Sequence, residues 1–85
     1  MLVHMRYFAS LREAIGIDAE TILLPQGVND LQGLRRFLAA RGEVWSEAFA
    51  EDKALRAAIN QELVKASASL RDQAEVAFFP PVTGG

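Results

Sequence analysis

Asp30-Leu31-Gln32-Gly33-Leu34-Arg35-Arg36-Phe37-Leu38-Ala39-Ala40-Arg41-Gly42 carries the main helical stripe of this chain. Leu31, Leu34 and Leu38, with Phe37 beside them, recur at helical spacing and give one apolar face. Asp30 suits the N-cap, where its carboxylate can accept an orphan amide of the first turn. The helix is expected to run to about Arg41, with Gly42 as the residue that stops it. Gly33 inside it should cost about 1 kcal/mol relative to alanine, a cost that close packing on a sheet would explain. Glu43 to Glu51, with Trp45, Ala48 and Phe49, reads as a second, short helix.

The segments on either side read as strands. Leu2 to Phe8 alternates, with Val3, Met5 and Tyr7 on one face and Leu2, His4, Arg6 and Phe8 on the other. Ser10-Leu11-Arg12-Glu13 forms a capping-box pattern for a two-turn helix that Gly16 would end. Thr21 to Leu24 is a short second strand, closed by Pro25-Gln26-Gly27. Downstream, Leu55 to Asn60 and Glu62 to Val64 flank an Asn60-Gln61 turn. Ser67 to Gln73 is a polar connection anchored by Leu70. Glu75 to Phe79 is the last strand, with Val76 and Phe78 on one face and Ala77 and Phe79 on the other. Pro80-Pro81 ends it, since proline cannot continue a ladder.

One main helix covers only one face of a sheet. The economical arrangement is an α+β fold in which a mixed sheet wraps around that helix, the β-grasp or ubiquitin-like architecture. Residues 1–81 would form this domain and 82–85 an extended tail. The sheet face away from the helix should then expose Phe8 and Phe79, joined by Leu63 from the hairpin. Exposed apolar clusters of this kind mark partner surfaces.

Composition excludes several classes of function. Eighty-five residues make one modest core, with 51% apolar and 24% charged residues, as in an ordinary globular domain. A net charge of −2 without a basic run argues against nucleic acid as a partner. The absence of cysteine removes disulfides, thiolate zinc sites and a persulfide on the chain itself. His4 is the only histidine and is expected on the surface, so no metal site or His-based triad is expected. No apolar run approaches the roughly 20 residues of a membrane span, and no secretory signal pattern opens the chain. A cytoplasmic domain without a self-contained active site is the expectation.

The ending narrows this further: Glu75-Val76-Ala77-Phe78-Phe79-Pro80-Pro81-Val82-Thr83-Gly84-Gly85. A terminal Gly-Gly arises by chance in roughly one chain in two hundred at ordinary glycine frequency, so alone it is only suggestive. Directly after the last strand of a β-grasp domain it becomes specific. This ending, with Tyr7-Phe8-Ala9, Leu11-Arg12-Glu13 and Gly16 at the start and Ala57-Ala58-Ile59-Asn60-Gln61-Glu62-Leu63-Val64 at the hairpin, resembles the small, sulfur-carrying subunits of molybdopterin synthases. These belong to the ubiquitin-like sulfur carriers. One departure stands out: an Asp-Gly-Asp-Glu turn of that family reads Asp72-Gln73-Ala74-Glu75 here, which puts the turn's conformation in question.

The resemblance implies that the carboxylate of Gly85 is the reactive group. A partner adenylating enzyme would use ATP to form an acyl-adenylate, and a persulfide donor would convert it to a thiocarboxylate. The synthase large subunit, in a 2:2 heterotetramer, would use that sulfur for the dithiolene of molybdopterin. No bound cofactor is implied. Pro80 and Pro81 would stiffen the root of the tail, and Val82, Thr83, Gly84 and Gly85 would thread a partner's active site, reaching at most roughly 13–14 Å. Phe8, Leu63 and Phe79 would dock the partners. A carrier for thiamine synthesis or tRNA thiolation, a protein modifier, or a plain interaction domain with a coincidental Gly-Gly remain alternatives.

Overall fold

The computed structural model describes residues 1–81. Along the chain these are β1 (Leu2–Tyr7), α1 (Ala9–Ile15), β2 (Ala19–Leu23), α2 (Leu31–Ala39), α3 (Glu43–Ala48), β3 (Arg56–Ile59), β4 (Glu62–Val64) and β5 (Ala74–Phe79). They build one five-stranded sheet in the order β2-β1-β5-β3-β4. The first and last strands run parallel at its middle, and every other pairing is antiparallel. A parallel pair needs a crossover, and the segment containing α2 supplies it over one face. This is the β-grasp.

Alternation decides which side chains meet α2. Val3, Met5, Tyr7, Val76 and Phe78 turn inward and are at most 3% exposed, and Leu31, Leu34 and Leu38 of α2 close over them. Each such side chain contributes about 1.5–3 kcal/mol through its removal from water. Leu70 anchors the long connection into β5, as its isolated apolar position implied. Phe49, just past α3, is 1% exposed. It packs edge-on against Tyr7 and Phe78 at 6.1 and 5.4 Å and stacks on Trp45 at 5.8 Å. Helical periodicity alone could not reveal that plug, because its partners come from β1 and β5.

Several local expectations are corrected. Ser10 and Glu13 do not form a capping box. Phe8 continues extended and Ala9 turns at φ 54°, so α1 starts at Ala9 and its N-cap is Phe8, with no side-chain cap. Gly16 does stop α1, at φ 84°. Asp30 caps α2 as expected, accepting from the Gly33 amide at 2.7 Å. That cap also explains Gly33. A Cβ there would lie 3.1 Å from Asp30 Oδ1, so the crowding comes from the cap and not from the sheet. Helix α2 ends at Ala39, and Gly42, at φ 148°, belongs to the start of α3 rather than to the end of α2.

The altered turn before β5 keeps a left-handed residue without glycine. Gln73 adopts φ 69°, and its amide donates to the Leu2 carbonyl at 2.7 Å. Its side-chain oxygen lies 2.9 Å from His4 Nε2, while His4 Nδ1 lies 3.1 Å from Thr21 Oγ1. His4 is therefore a partly buried cross-strand link, not a bare surface group. The Asn60-Gln61 turn is as read, with both residues at positive φ in the manner of a two-residue hairpin turn.

Candidate functional site

Strand β5 delivers the end of the chain from the middle of the sheet. Tyr7 of β1 pairs with Phe78 on one side, and Arg56 of β3 pairs with Phe79 on the other. The last described residues, Pro80 and Pro81, are partly buried at this root. The expected tail residues Val82, Thr83, Gly84 and Gly85 lie outside the described residues.

Phe8, Phe79 and Leu63 share the sheet face opposite α2. Phe8 follows Tyr7 in extended conformation, so it points away from the core, and it is 40% exposed. Phe79 is partly buried beside it, one step beyond the Tyr7–Phe78 pair. Leu63, 68% exposed, lies opposite Ala58, which in turn lies opposite Ala77 of β5. Two alanines thus floor the space between Leu63 and the aromatic pair. The three expected docking residues occupy one continuous apolar stretch beside the tail root. Arg6 and Arg56 also lie on this face, and neither was singled out from sequence. Alternation already put Arg6 on the face of Phe8, though without a role there, but Arg56 needed the β3–β5 register.

The helix side offers different features. A groove of about 760 Å³ lies between α2, the loop after α3 and β3–β4, with Leu31, Phe49, Ala57 and Phe78 among its walls. Three of its charged members are engaged, while Arg56 borders it from the edge of β3 without an ion pair among the described residues. Arg35 donates to the carbonyls of Phe49 and Lys53 at 3.0 and 2.7 Å and to that of Ala50, and Arg36 pairs with Glu51 at 3.5 Å. Burial lowers the Arg35 pKa, against the opposing pull of Glu51 and Asp52. Among the described residues no nucleophile with an adjacent base lines the groove. Among the described residues no three His, Cys, Asp or Glu side chains gather as a metal site would require.

A polar latch closes the other end of the helix layer. Tyr7 donates to Glu20 at 2.8 Å, and Arg41 reaches the same carboxylate with two bonds of 2.8 and 2.9 Å while lying 4.2 Å from the Trp45 ring centroid. Burial, then the hydrogen bond to Glu20, pushes the Tyr7 hydroxyl far above its ordinary value. Burial would raise Glu20 as well, but the bonds from Arg41 and Tyr7 outweigh it and hold the carboxyl below its usual range. Tyr7 stays neutral and Glu20 charged at neutral pH. This is a structural clasp: the phenol is spent on Glu20 and faces no open space with a reacting partner.

The described residues form a β-grasp sheet whose last strand lies between β1 and β3 and leads into Pro80 and Pro81. Residues 5–85 match the ThiS family. The chain belongs to that family. Within reach of this ThiS-family chain are full-length relatives. The molybdopterin synthase sulfur carrier subunit of Escherichia coli is 42% identical over 99% of this chain and 100% of its own length. The subunit of the same name from Haemophilus influenzae is 39% identical with the same coverage. Among solved structures, the complex of subunits 1 and 2 of molybdopterin-converting factor from Helicobacter pylori contains a chain similar to this ThiS-family fold. The match has a TM-score of 0.66 and 28% identity, with all of both chains covered. No described helix of the chain is long and apolar enough to cross a membrane.

Proposed function

We propose that this chain is the sulfur-carrying subunit of a molybdopterin synthase, with Gly85 as the group that holds the sulfur. The observation that carries the reading is the full-length likeness to two subunits of that name, together with a family match that runs to Gly85. A carboxylate is a poor electrophile. In the proposed sequence, ATP supplied through an adenylating enzyme converts it to an acyl-adenylate with release of pyrophosphate. A persulfide sulfur then attacks the acyl carbon, AMP leaves, and a thiol cleaves the S–S bond to free the thiocarboxylate. The large subunit takes that sulfur for the dithiolene, and two charged carriers serve each product. The carrier leaves each time as a carboxylate, ready for recharging. A cytoplasmic location suits this ATP-dependent cycle.

The residue types fit these steps. Gly84 and Gly85 lack Cβ atoms, so they can pass a narrow channel at any backbone angle. Pro80 and Pro81 restrict the root and so reduce the entropy lost when the tail is inserted. Phe8, Phe79 and Leu63 are the proposed contact with the large subunit, in a 2:2 assembly, and with the adenylating enzyme in turn. The test is reconstitution with the large subunit and cyclic pyranopterin monophosphate. Deleting Gly85, or extending the chain past it with an uncleaved tag, should abolish molybdopterin formation while the domain stays folded. Full activity of the tagged chain would contradict the proposal.

A further inference from the structure

Arg6 and Arg56 flank β5 on the same outer face. Arg6 stands opposite Ala77 from the β1 side, and Arg56 stands opposite Phe79 from the β3 side. Their backbones are two strand spacings, about 10 Å, apart across the sheet and are offset by two residues, about 7 Å, along it. Both side chains are exposed, and the Arg6 guanidinium carbon lies 5.7 Å from the Phe8 ring centroid. The ion pairs formed among the described residues use Arg36 and Arg41, which leaves Arg6 and Arg56 without a carboxylate there. The acidic residue of β5 on this face, Glu75, sits opposite His4, toward the end of the strand away from the tail. The half of the face beside the tail root thus carries two cations, although the chain as a whole has a net charge of −2.

This local reversal of charge has an energetic consequence. A partner that covers Phe8 and Phe79 also removes water from the two guanidinium groups beside them. Cations desolvated without acceptors oppose association, which would offset the gain from the aromatics. A guanidinium beside an aromatic ring, as Arg6 is beside Phe8, is also well suited to a carboxylate, and the exposed Arg56 can offer the same bidentate bonds. We propose that the large-subunit surface covering this face presents carboxylates to Arg6 and Arg56, so that encounter is electrostatically steered and the aromatics then hold the complex. This rests on the proposed docking of the large subunit on Phe8 and Phe79, and it adds the chemistry of the matching surface.

The test is the association and dissociation kinetics of the full chain with the large subunit, at low and high salt. The variants are Arg6→Gln with Arg56→Gln, Arg36→Gln as a charge control away from this face, and Phe79→Ala. Neutralising both outer arginines should slow association by about tenfold at low salt and flatten its salt dependence, because steering charges act mainly on the on-rate. Arg6→Lys with Arg56→Lys should restore most of the rate, and Arg36→Gln should change it little. Phe79→Ala should instead speed dissociation at every salt concentration. If Phe79→Ala weakens binding while the double neutralisation leaves rate and salt slope unchanged, the charge inference is overturned and the docking face stands. If neither variant matters in folded proteins, the docking reading itself has failed. A loss in the double variant that persists undiminished at high salt would assign the arginines a packing role and also overturn the inference.

Discussion

Tyr7 and Phe78 are 1% and 3% exposed, while the residues that follow them, Phe8 and Phe79, lie on the opposite face of the sheet, with Phe8 at 40% and Phe79 partly buried. Aromatic residues one position apart have two fates because successive strand residues point to opposite faces. The inner pair meets Phe49 and the α2 leucines and holds the fold together. The outer pair meets Arg6, Arg56, two alanines and solvent, and it sits where the chain end emerges. Stability and recognition are thus assigned to the two faces of the same strands, and substitutions on one face should leave the other's property almost intact.

The largest effect should come from the inner face. Leu34→Ala or Leu38→Ala, each removing a fully buried side chain, should cost about 2–5 kcal/mol of stability in chemical denaturation. Leu63→Ala should cost far less. Comparable losses for Leu38→Ala and Leu63→Ala would erase the distinction between the faces. The converse experiment reads binding. Phe79→Ala should weaken the complex with the large subunit by tenfold or more, in line with interface hot spots of about 2 kcal/mol, with a smaller effect on the melting of the free chain. Unchanged affinity together with a collapsed fold would move Phe79 into the core.

A smaller effect separates two neighbouring cations of α2. Arg35 and Arg36 are adjacent in the sequence of α2 and carry the same side chain. The structure ties Arg35 to three carbonyls in the loop after α3 and leaves Arg36 in an exposed pair with Glu51. Arg35→Ala should therefore cost about 1–3 kcal/mol, as loss of bonds to a charged donor does. Arg36→Ala should cost less than about 1 kcal/mol, as exposed ion pairs do. Equal melting temperatures for the two variants would show that the loop does not depend on Arg35.

The smallest effect depends on pH. Glu20 is held below its ordinary value in the folded chain, so its contribution is present above about pH 4.5 and fades as pH falls through the lowered folded value. Glu20→Gln should lower the melting temperature at pH 7, and the gap to the parent protein should narrow on acidification. A gap that stays constant down to pH 3 would mean the clasp with Tyr7 and Arg41 contributes no charge-dependent stability.

Much of this was legible in the residues themselves. Strand alternation placed Val3, Met5, Tyr7, Val76 and Phe78 inside, the leucine spacing located the face of α2, and Asp30 marked its start. What escaped were features set by contacts between distant segments. Arg35 looks solvent-facing until the loop after α3 folds back beneath it. Gly33 looks like a packing glycine until the Asp30 carboxylate is seen beside it. The Ser10–Glu13 pattern satisfied a local rule, but β1 extends through Phe8 and moved the helix start. Gln73 occupies a position that suggests glycine, and its bond to His4, distant in sequence, accompanies that geometry. On the outer face, the outward positions of Phe8 and Phe79 followed from alternation, whereas those of Leu63 and Arg56 depended on strand registers that composition does not encode.

In the proposed function the inner face holds the fold so that Gly85 can carry sulfur. Intact mass spectrometry of the full chain tests it most directly, after incubation with ATP, its adenylating enzyme, a persulfide donor and a thiol. The account predicts a species heavier by the difference between one sulfur and one oxygen atom, localised to the terminal glycine and absent when ATP is withheld. It also predicts that this species disappears on incubation with the large subunit and precursor as molybdopterin forms. An unchanged mass under these conditions, or the same gain in a chain lacking Gly85, would contradict it.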